Sequence, residues 1–202
     1  MKIPALIFSL LIGFTSFGQK LPDIGINVRI NEGDKTIVAE IRPVNSTPSM
    51  EPASTYYWYG SGLIHHTQGG YSGRLLNGAY NEYYLNKNLK EQGLFNKGLK
   101  TGIWKAWNET GVLRQLFTYR TGIKSGAFSL YDETGRLTQS GNYDNNELNG
   151  KITSFHKDSA TVVIYKNGSA IPKKQPSKFW DKLNIFKRHP KTTNIAKPKV
   201  NP

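Results

Sequence analysis

Apolar and polar residues alternate along short segments of this chain, and glycine or asparagine interrupts these segments roughly every 8 to 12 residues. In one segment Leu113, Phe117 and Tyr119 share one face of the expected strand, because successive side chains of a strand point to opposite faces. Arg114 and Arg120 share the other face. Short segments bounded by turn residues predict strands rather than helices. We therefore predict an all-β fold, built as an elongated antiparallel meander of stacked β-hairpins.

A repeat with a constant 24-residue period runs through the middle of the chain. Each copy begins with a glycine and continues in the pattern Gly-x-apolar-x-x-aromatic; the four glycines are Gly78, Gly102, Gly126 and Gly150. The same spacing links two further columns, namely Leu89, Leu113 and Leu137, and Tyr71, Phe95, Tyr119 and Tyr143. A fixed period of this length is typical of repeat proteins, whose units bury their apolar faces against one another. We predict that residues 56–168 form a hairpin array, which offers an extended binding surface rather than a catalytic pocket.

The two ends of the array depart from this period. The aromatic residue expected at position 167 is found as Tyr165, so the turn before it is predicted to be two residues shorter than in the other copies. Tyr56 precedes Tyr80 by one full period, which predicts a degenerate opening hairpin at 56–68. Terminal repeats are often atypical because they cap the stack.

Three segments precede the array. Residues 1–18 have the layout of a secretory signal, with a basic residue, an apolar run and a small-residue cleavage site; an uncleaved membrane anchor is the alternative. Residues 20–42 predict an N-terminal β-hairpin, because apolar residues alternate strictly from 24 to 30 before a turn. Residues 43–55 contain three prolines and predict a linker. We expect the protein to be exported to the periplasm, the envelope or the extracellular space.

A basic tail follows the array at 169–202. Between 172 and 202 there are nine Lys or Arg and one Asp, so this stretch carries +8 of the formal net charge of +13. Residues 177–188 predict a short C-terminal amphipathic helix, because Phe179, Leu183 and Phe186 recur at helical spacing. Two roles are open for it: contact with an anionic membrane or polymer, and a cap over the open end of the sheet. The expected surface contacts are Lys178, Trp180, Lys182, Phe186, Lys187 and Arg188.

Composition narrows the classes of function. A Lys and Arg cluster is typical of nucleic-acid binding, but export would direct the tail to anionic surfaces outside the cytoplasm, so no nucleic acid is expected. The chain has no cysteine, which excludes disulfides, thiolate metal sites and cysteine nucleophiles. His65 and His66 are adjacent, so on a strand their rings would point to opposite faces and could not chelate one ion. No nucleophile motif such as Gly-x-Ser-x-Gly is present. We therefore expect no metal, no cofactor and no enzymatic activity.

The aromatic residues are the strongest binding candidates. The chain has 4 Trp, 11 Tyr and 9 Phe, and a mainly single-layered sheet leaves apolar surface exposed, which is typical of interaction sites. The residues expected to contact a protein partner are Tyr80, Tyr83, Trp104, Trp107 and Tyr131. The alternative is that the same rings fill the grooves between stacked hairpins.

The repeated order Gly-x-aromatic-x-x-aromatic, Gly-x-Leu and aromatic-x-x-Gly, found at 102–107, 111–113 and 119–122, resembles the MORN repeat. It is most similar to the bacterial variant found in proteins often labelled antitoxins of toxin-antitoxin systems, and the resemblance covers 56–168. It implies a twisted sheet of stacked MORN-like hairpins that acts through protein or membrane contacts. The antitoxin label further implies an inhibitor of a toxin or enzyme.

The function expected from the sequence is that of an exported, noncatalytic repeat protein, which serves as a protein-binding or scaffold module in the bacterial cell envelope. The hairpin array would supply the contact surface, and the basic tail would add attraction to anionic surfaces. The alternative is an antitoxin-like or immunity-like inhibitor.

Overall fold

The computed structural model of the protein describes residues 25–44 and 46–172, and within these ranges all regular structure is β-strand. The strands are β1 (Ile26–Glu32), β2 (Lys35–Ile41), β3 (Thr55–Gly60), β4 (Leu63–Gln68), β5 (Arg74–Leu75), β6 (Gly78–Tyr84), β7 (Leu89–Asn96), β8 (Leu99–Trp107), β9 (Leu113–Arg120), β10 (Ile123–Tyr131), β11 (Leu137–Asp144), β12 (Glu147–Leu148), β13 (Gly150–Phe155), β14 (Ala160–Lys166) and β15 (Ser169–Ile171). The prediction of an all-β fold is confirmed. The expected signal at 1–18 and the expected helix at 177–188 lie outside the described residues.

Twelve strands form one large antiparallel sheet. Its order is β1-β2-β6-β7-β8-β9-β10-β11-β13-β14-β15, and β12 pairs with β11 beside this path. The path leaves out β3 to β5, which form a small sheet of their own in the order β4-β3-β5. From β6 onward the large sheet is the predicted meander of consecutive hairpins.

The corner loop within each repeat has a constant length in the first three copies. Residues that lie opposite each other are 13 apart in these copies, as in the pairs Tyr80 with Gly93, Trp104 with Phe117, and Phe128 with Gly141. A register shift of the β-bulge kind lies next to each of these loops. In the fourth copy Ile152 lies opposite Val163, so the paired residues are only 11 apart, and the register has no shift. The predicted shortening by two residues is confirmed: one loop residue and the bulge residue are missing.

Tight two-residue turns join each repeat to the next. Both turn residues have positive φ in Lys97-Gly98, Thr121-Gly122, Asn145-Asn146 and Asn167-Gly168, which is the type I′ geometry that suits the twist of a hairpin. The second residue of each turn donates its N–H, at 2.7 to 3.0 Å, to a carbonyl of the preceding repeat; the acceptors are Leu76, Lys100, Lys124 and Leu148, which occupy the same position in successive repeats. The turns therefore tie neighbouring repeats together as well as reversing the chain.

Backbone conformation explains why each repeat begins with a glycine. Gly78, Gly102, Gly126 and Gly150 all have φ between 67° and 130°. Residues with a Cβ rarely adopt this backbone conformation, whereas glycine adopts it at no steric cost. The column of glycines that reveals the repeat in the sequence thus marks a residue with positive φ in every copy.

The N-terminal hairpin, rather than the expected opening hairpin at 56–68, lies beside the first repeat. β2 pairs with β6, with Ala39 opposite Tyr80, so the buried face of β2 continues the buried face of the array. The segment 56–68 does form a hairpin, β3 paired with β4, but this hairpin belongs to the small sheet. In the folded chain β2 occupies the edge of β6 with which the 56–68 hairpin was expected to pair.

We call the face of the large sheet that carries Tyr80, Trp104 and Phe128 its front face. The small sheet lies against the front face of β2 and β6–β8, and we call this region the covered half. The main core is found here; it consists of Ile37, Ala39, Ile41, Leu76, Tyr80, Phe95 and Trp104, with Tyr57, Tyr59 and Ile64 of the small sheet packed on them. A backbone hydrogen bond from Tyr57 N–H to the Gly98 carbonyl, at 2.8 Å, also joins the two sheets.

The front face continues along β9–β11, where its rings are only half buried. We call this region the open half; its front-face residues are Gln115, Phe117, Tyr119, Lys124, Phe128 and Tyr143. Phe128 is buried at the centre, while Phe117, Tyr119 and Tyr143 around it keep part of their surface exposed. The ring contacts recorded for Phe117 and Tyr143, among the described residues, are with rings and a lysine of the array itself.

Candidate protein interface

Aromatic rings follow one another along the front face, because the 24-residue columns place rings of successive repeats on the same side of the sheet. In the covered half the ring centroids are 5.4 and 4.9 Å apart in the pairs Tyr80 with Phe95 and Phe95 with Trp104, and the pair Trp104 with Tyr119, at 6.2 Å, joins this half to the open half. In the open half they are 5.0 to 6.0 Å apart in the pairs Phe117 with Phe128 and Phe128 with Tyr143. Such pairs each contribute about 0.5 to 1.5 kcal/mol beyond the burial of their surface.

The structure places the five aromatic residues expected at an interface in two different settings. Tyr80 and Trp104 are only 7% and 3% exposed and belong to the main core, so packing between hairpins takes up nearly all of their surface. Tyr83, Trp107 and Tyr131 lie near the corner loops and are half buried. Side chains of other strands hold the backbone of two of them: the Tyr84 hydroxyl of β6 donates to the Trp107 carbonyl at 2.8 Å, and the Arg114 Nε of β9 donates to the Tyr131 carbonyl at 3.1 Å.

Lys100 marks the centre of the covered half. Its ammonium lies 3.8 Å from the Trp104 ring centroid and 5.8 Å from that of Tyr57 in the small sheet, both within the range of a cation–π interaction. The same ammonium donates to the Glu91 carboxylate at 2.8 Å. The positive charge is therefore neutralised by the chain itself and lies beneath the small sheet.

Lys124 is the equivalent residue one repeat later, and its surroundings differ. Its ammonium lies 4.0 Å from the Phe117 ring centroid and 5.3 Å from that of Tyr143. Burial, helped by the nearby charge of Lys100, lowers the pKa of Lys124 below its usual value. No carboxylate or other acceptor of the described residues pairs with this ammonium, and position 115, which corresponds to Glu91, is Gln115. The open half thus contains a half-buried cation for which the described residues supply no counter-ion.

Sequence reasoning passed over these two lysines and the half-buried rings beside them. Tyr119 and Tyr143 belong to a periodic column, and Lys100 and Lys124 are likewise one repeat apart, so the repeat itself contained the signal. A lysine at a repeated position is expected to be solvated unless its neighbours on the adjoining strands are known. Those neighbours depend on the register between β7 and β8, which shifts partway along the pair and cannot be read from the spacing of the lysines alone.

A buried carboxylate lies at the other end of the covered half. Glu82 accepts hydrogen bonds from the Tyr80 hydroxyl at 2.7 Å and from the Lys90 ammonium at 2.9 Å, and Lys35 lies 3.9 Å away. Burial alone would raise the pKa of Glu82, but these hydrogen bonds and charges outweigh it and hold the pKa below its usual value. Burial, with the Glu82 charge, raises the pKa of Tyr80. A buried network with all its partners supplied internally stabilises a fold.

The histidines are engaged in packing. The His65 ring stacks on Trp58 with centroids 4.4 Å apart, and His66 stacks on Tyr57 at 5.8 Å. The two rings therefore lie on opposite faces of β4. Within 25–44 and 46–172, no group of three or more His, Cys, Asp or Glu is arranged to hold a metal ion.

The expected surface contacts of the tail, Lys178, Trp180, Lys182, Phe186, Lys187 and Arg188, lie outside the described residues. In the part of the chain that the structure describes, no helix has the length and apolar character needed to cross a membrane.

Compared with known proteins, the chain matches no family model, no curated protein and no solved structure. The resemblance to MORN repeats therefore stays a prediction. What the geometry of the chain provides is a face of aligned rings, covered over one half by its own small sheet and open over the other, where Lys124 has no counter-ion among the described residues.

Proposed function

We propose that this protein is an exported, noncatalytic, MORN-like module of the cell envelope that binds another protein through the open half of its front face. The observation that carries the proposal is the contrast between the two halves. In the covered half the chain packs its own strand, with Tyr57 and Tyr59, onto the rings. In the open half the same kind of surface continues with half-buried rings. Contiguous apolar surface bordered by polar groups is typical of interaction sites.

The back face is a weaker candidate. Leu94 and Ile103 are 50% and 54% exposed there, but the residues around them, such as Asn81, Gln92 and Lys105, are polar. Aromatic side chains are enriched among the residues that contribute most binding energy at protein interfaces. Phe117, Phe128 and Tyr143 contact one another on the front face. Tyr83, Trp107 and Tyr131 lie on the back face, near the corner loops. The proposed location in the envelope is supported by the signal-like segment at 1–18 and the basic tail of the sequence.

The proposal is tested by photo-crosslinking in living cells. Benzoylphenylalanine replaces Gln115, which is exposed on the front face, and in a matched control it replaces Ala127, which is exposed on the back of the neighbouring strand. We expect a discrete protein adduct from position 115 and none from position 127. Adducts of equal yield from both positions, or from neither, would contradict the proposal. If the captured protein is a toxin or an enzyme, the inhibitor function gains support over a scaffold.

A further inference from the structure

We infer that the open half binds an extended segment of its protein partner in which an acidic residue accompanies alternating aromatic residues, with the acidic carboxylate bound to Lys124. The inference rests on the proposed function and specifies the chemistry of the partner. It follows from comparing equivalent positions of two successive repeats, one of which already has an occupant.

The occupant of the covered half is strand β3. Its Tyr57 N–H donates to the Gly98 carbonyl at 2.8 Å, and its ring lies 5.8 Å from the Lys100 ammonium. Tyr57 and Tyr59 both pack on the core, whereas Trp58 between them points to His65 on the other face. The front face thus receives an extended strand that presents rings at alternate positions.

Two docking groups of the covered half have equivalents in the open half. Gly122 corresponds to Gly98, and among the described residues no donor is bound to the Gly122 carbonyl. Lys124 corresponds to Lys100, and Phe117 with Tyr143 supplies the rings beside it. An extended segment could therefore dock as β3 does, with a backbone N–H on Gly122 and a ring near Lys124.

A difference in charge between the two halves specifies the charge of the partner. In the covered half Glu91 neutralises Lys100, whereas Gln115 stands at the corresponding position beside Lys124. The recess beside Lys124 has a volume of about 90 Å³ and is lined in part by Gln115, Phe117 and Tyr119. A cavity needs only about 10 to 15 Å³ of this volume to hold one water molecule, so the recess has room for a carboxylate group. Glu91 also borders the recess, but its charge is already paired with Lys100.

A protein segment fits these features better than other anions do. The rings favour aromatic side chains in the partner. The Gly122 carbonyl, to which none of the described residues donates, favours a backbone N–H donor beside them. A carboxylate that reaches an ammonium over an aromatic ring forms a charge-assisted hydrogen bond, which is roughly twice as strong as a neutral one. The partial burial of Lys124 limits screening by salt.

The test uses two synthetic peptides and the full-length protein. One peptide is acetyl-Thr-Glu-Thr-Tyr-Thr-Tyr-Thr-amide, which places the carboxylate and both rings on one face of a strand, and the other carries Gln in place of Glu. Binding is followed by a two-dimensional NMR titration. We expect the Gln peptide to bind about tenfold more weakly, because it lacks the charge-assisted hydrogen bond.

Three variants test whether the difference in affinity between the two peptides arises at the recess. Lys124→Gln should reduce the affinity for the Glu peptide to that for the Gln peptide. Gln115→Glu, which supplies the carboxylate that the covered half already has, should do the same while leaving the Gln peptide unaffected. Lys151→Gln, on the back face, should change neither affinity. The dispersion of chemical shifts in the NMR spectrum verifies that each variant is folded.

The outcomes separate the inference from the proposed function. Equal binding of the two peptides, no binding of either, or full affinity of Gln115→Glu for the Glu peptide would overturn the inference. A front-face crosslink from position 115 would then still support the proposed function, with a partner of different chemistry. Absence of the crosslink from position 115 would contradict both the inference and the proposed function.

Discussion

The packing of Trp104 over Gly93 allows a sharp test of the front face. A Cβ added at Gly93 would overlap the Cδ2 and Cε2 atoms of the Trp104 indole and come within 2.7 Å of its Cγ. The indole is 3% exposed and is held between Tyr80, Phe95 and Lys100, so it has no free direction in which to move. Gly93→Ala should therefore destabilise the fold.

The expected magnitude follows from two opposing effects. Overpacking a buried site costs about 1 to 3 kcal/mol, while replacing glycine by alanine in the unfolded chain stabilises by about 0.4 to 1 kcal/mol. We expect a net loss of about 1 to 2 kcal/mol in the free energy of unfolding for Gly93→Ala, or roughly 2 to 8 °C in Tm.

The matched control is the same position two repeats later. A Cβ at Gly141 would overlap only the terminal Cδ1 of Ile152, with the next atom, Phe128 Cε1, at 3.1 Å. Because the end of an isoleucine side chain can rotate, Gly141→Ala should cost less than about 1 kcal/mol. Urea denaturation of both variants checks the comparison. If Gly141→Ala proves as destabilising as Gly93→Ala, the described packing of the indole is wrong.

Further predictions concern charge and pH. Lys100→Met should lower the free energy of unfolding by about 1 kcal/mol more than Lys124→Met, because only the first substitution leaves the Glu91 carboxylate without its hydrogen bond. Thermal denaturation measures both losses, and equal losses would count against the contrast between the two lysines. Burial, with a contribution from Glu91, raises the pKa of Tyr119 from 10.0 to about 12, so its contribution to stability is complete below pH 10 and is lost as the pH rises to 12. Tyr119→Phe should flatten the alkaline limb of a plot of unfolding free energy against pH. The lowered pKa of Glu82 means that its contribution is complete above pH 4.5 and is lost as the pH falls through its folded-state pKa. Glu82→Gln should remove this acid dependence, and an unchanged acid limb would refute the role given to the buried network.

The repeat could be predicted from the sequence because each of its columns has a local cause. The glycine column marks a positive φ, and the Gly, Asn and Thr residues of the outer turns mark two-residue hairpins. Even the shortened fourth loop was visible, because Tyr165 keeps its place opposite Gly150 when two residues are lost before it. These features depend on neighbours within one or two hairpins.

The partner of the first repeat could not be predicted in this way. The one-period spacing between Tyr56 and Tyr80 favours β3 as the neighbour of β6, yet β2 takes that edge and β3 lies against the front face. Both strands are apolar enough to pair there, and the proline-containing linker at 43–55 permits either arrangement. The choice depends on how the strands of both sheets pack together, which no periodicity records.

The sequence predicted which type of residue forms the candidate site, but not where on the sheet the site lies. Aromatic residues of the repeat were expected to bind, but two of the five chosen, Tyr80 and Trp104, lie in the core because the small sheet covers them. The open half, with Lys124 at its centre, becomes recognisable only when it is known where the small sheet ends.

Intermolecular NOE measurements on the full-length protein with the Glu peptide test the central claim most directly. If the open half is the contact surface, NOEs will connect the tyrosine rings of the peptide to ring protons of Phe117 and Tyr143. NOEs from those tyrosines to Leu94 and Ile103 on the back face, with none to the open half, would contradict it.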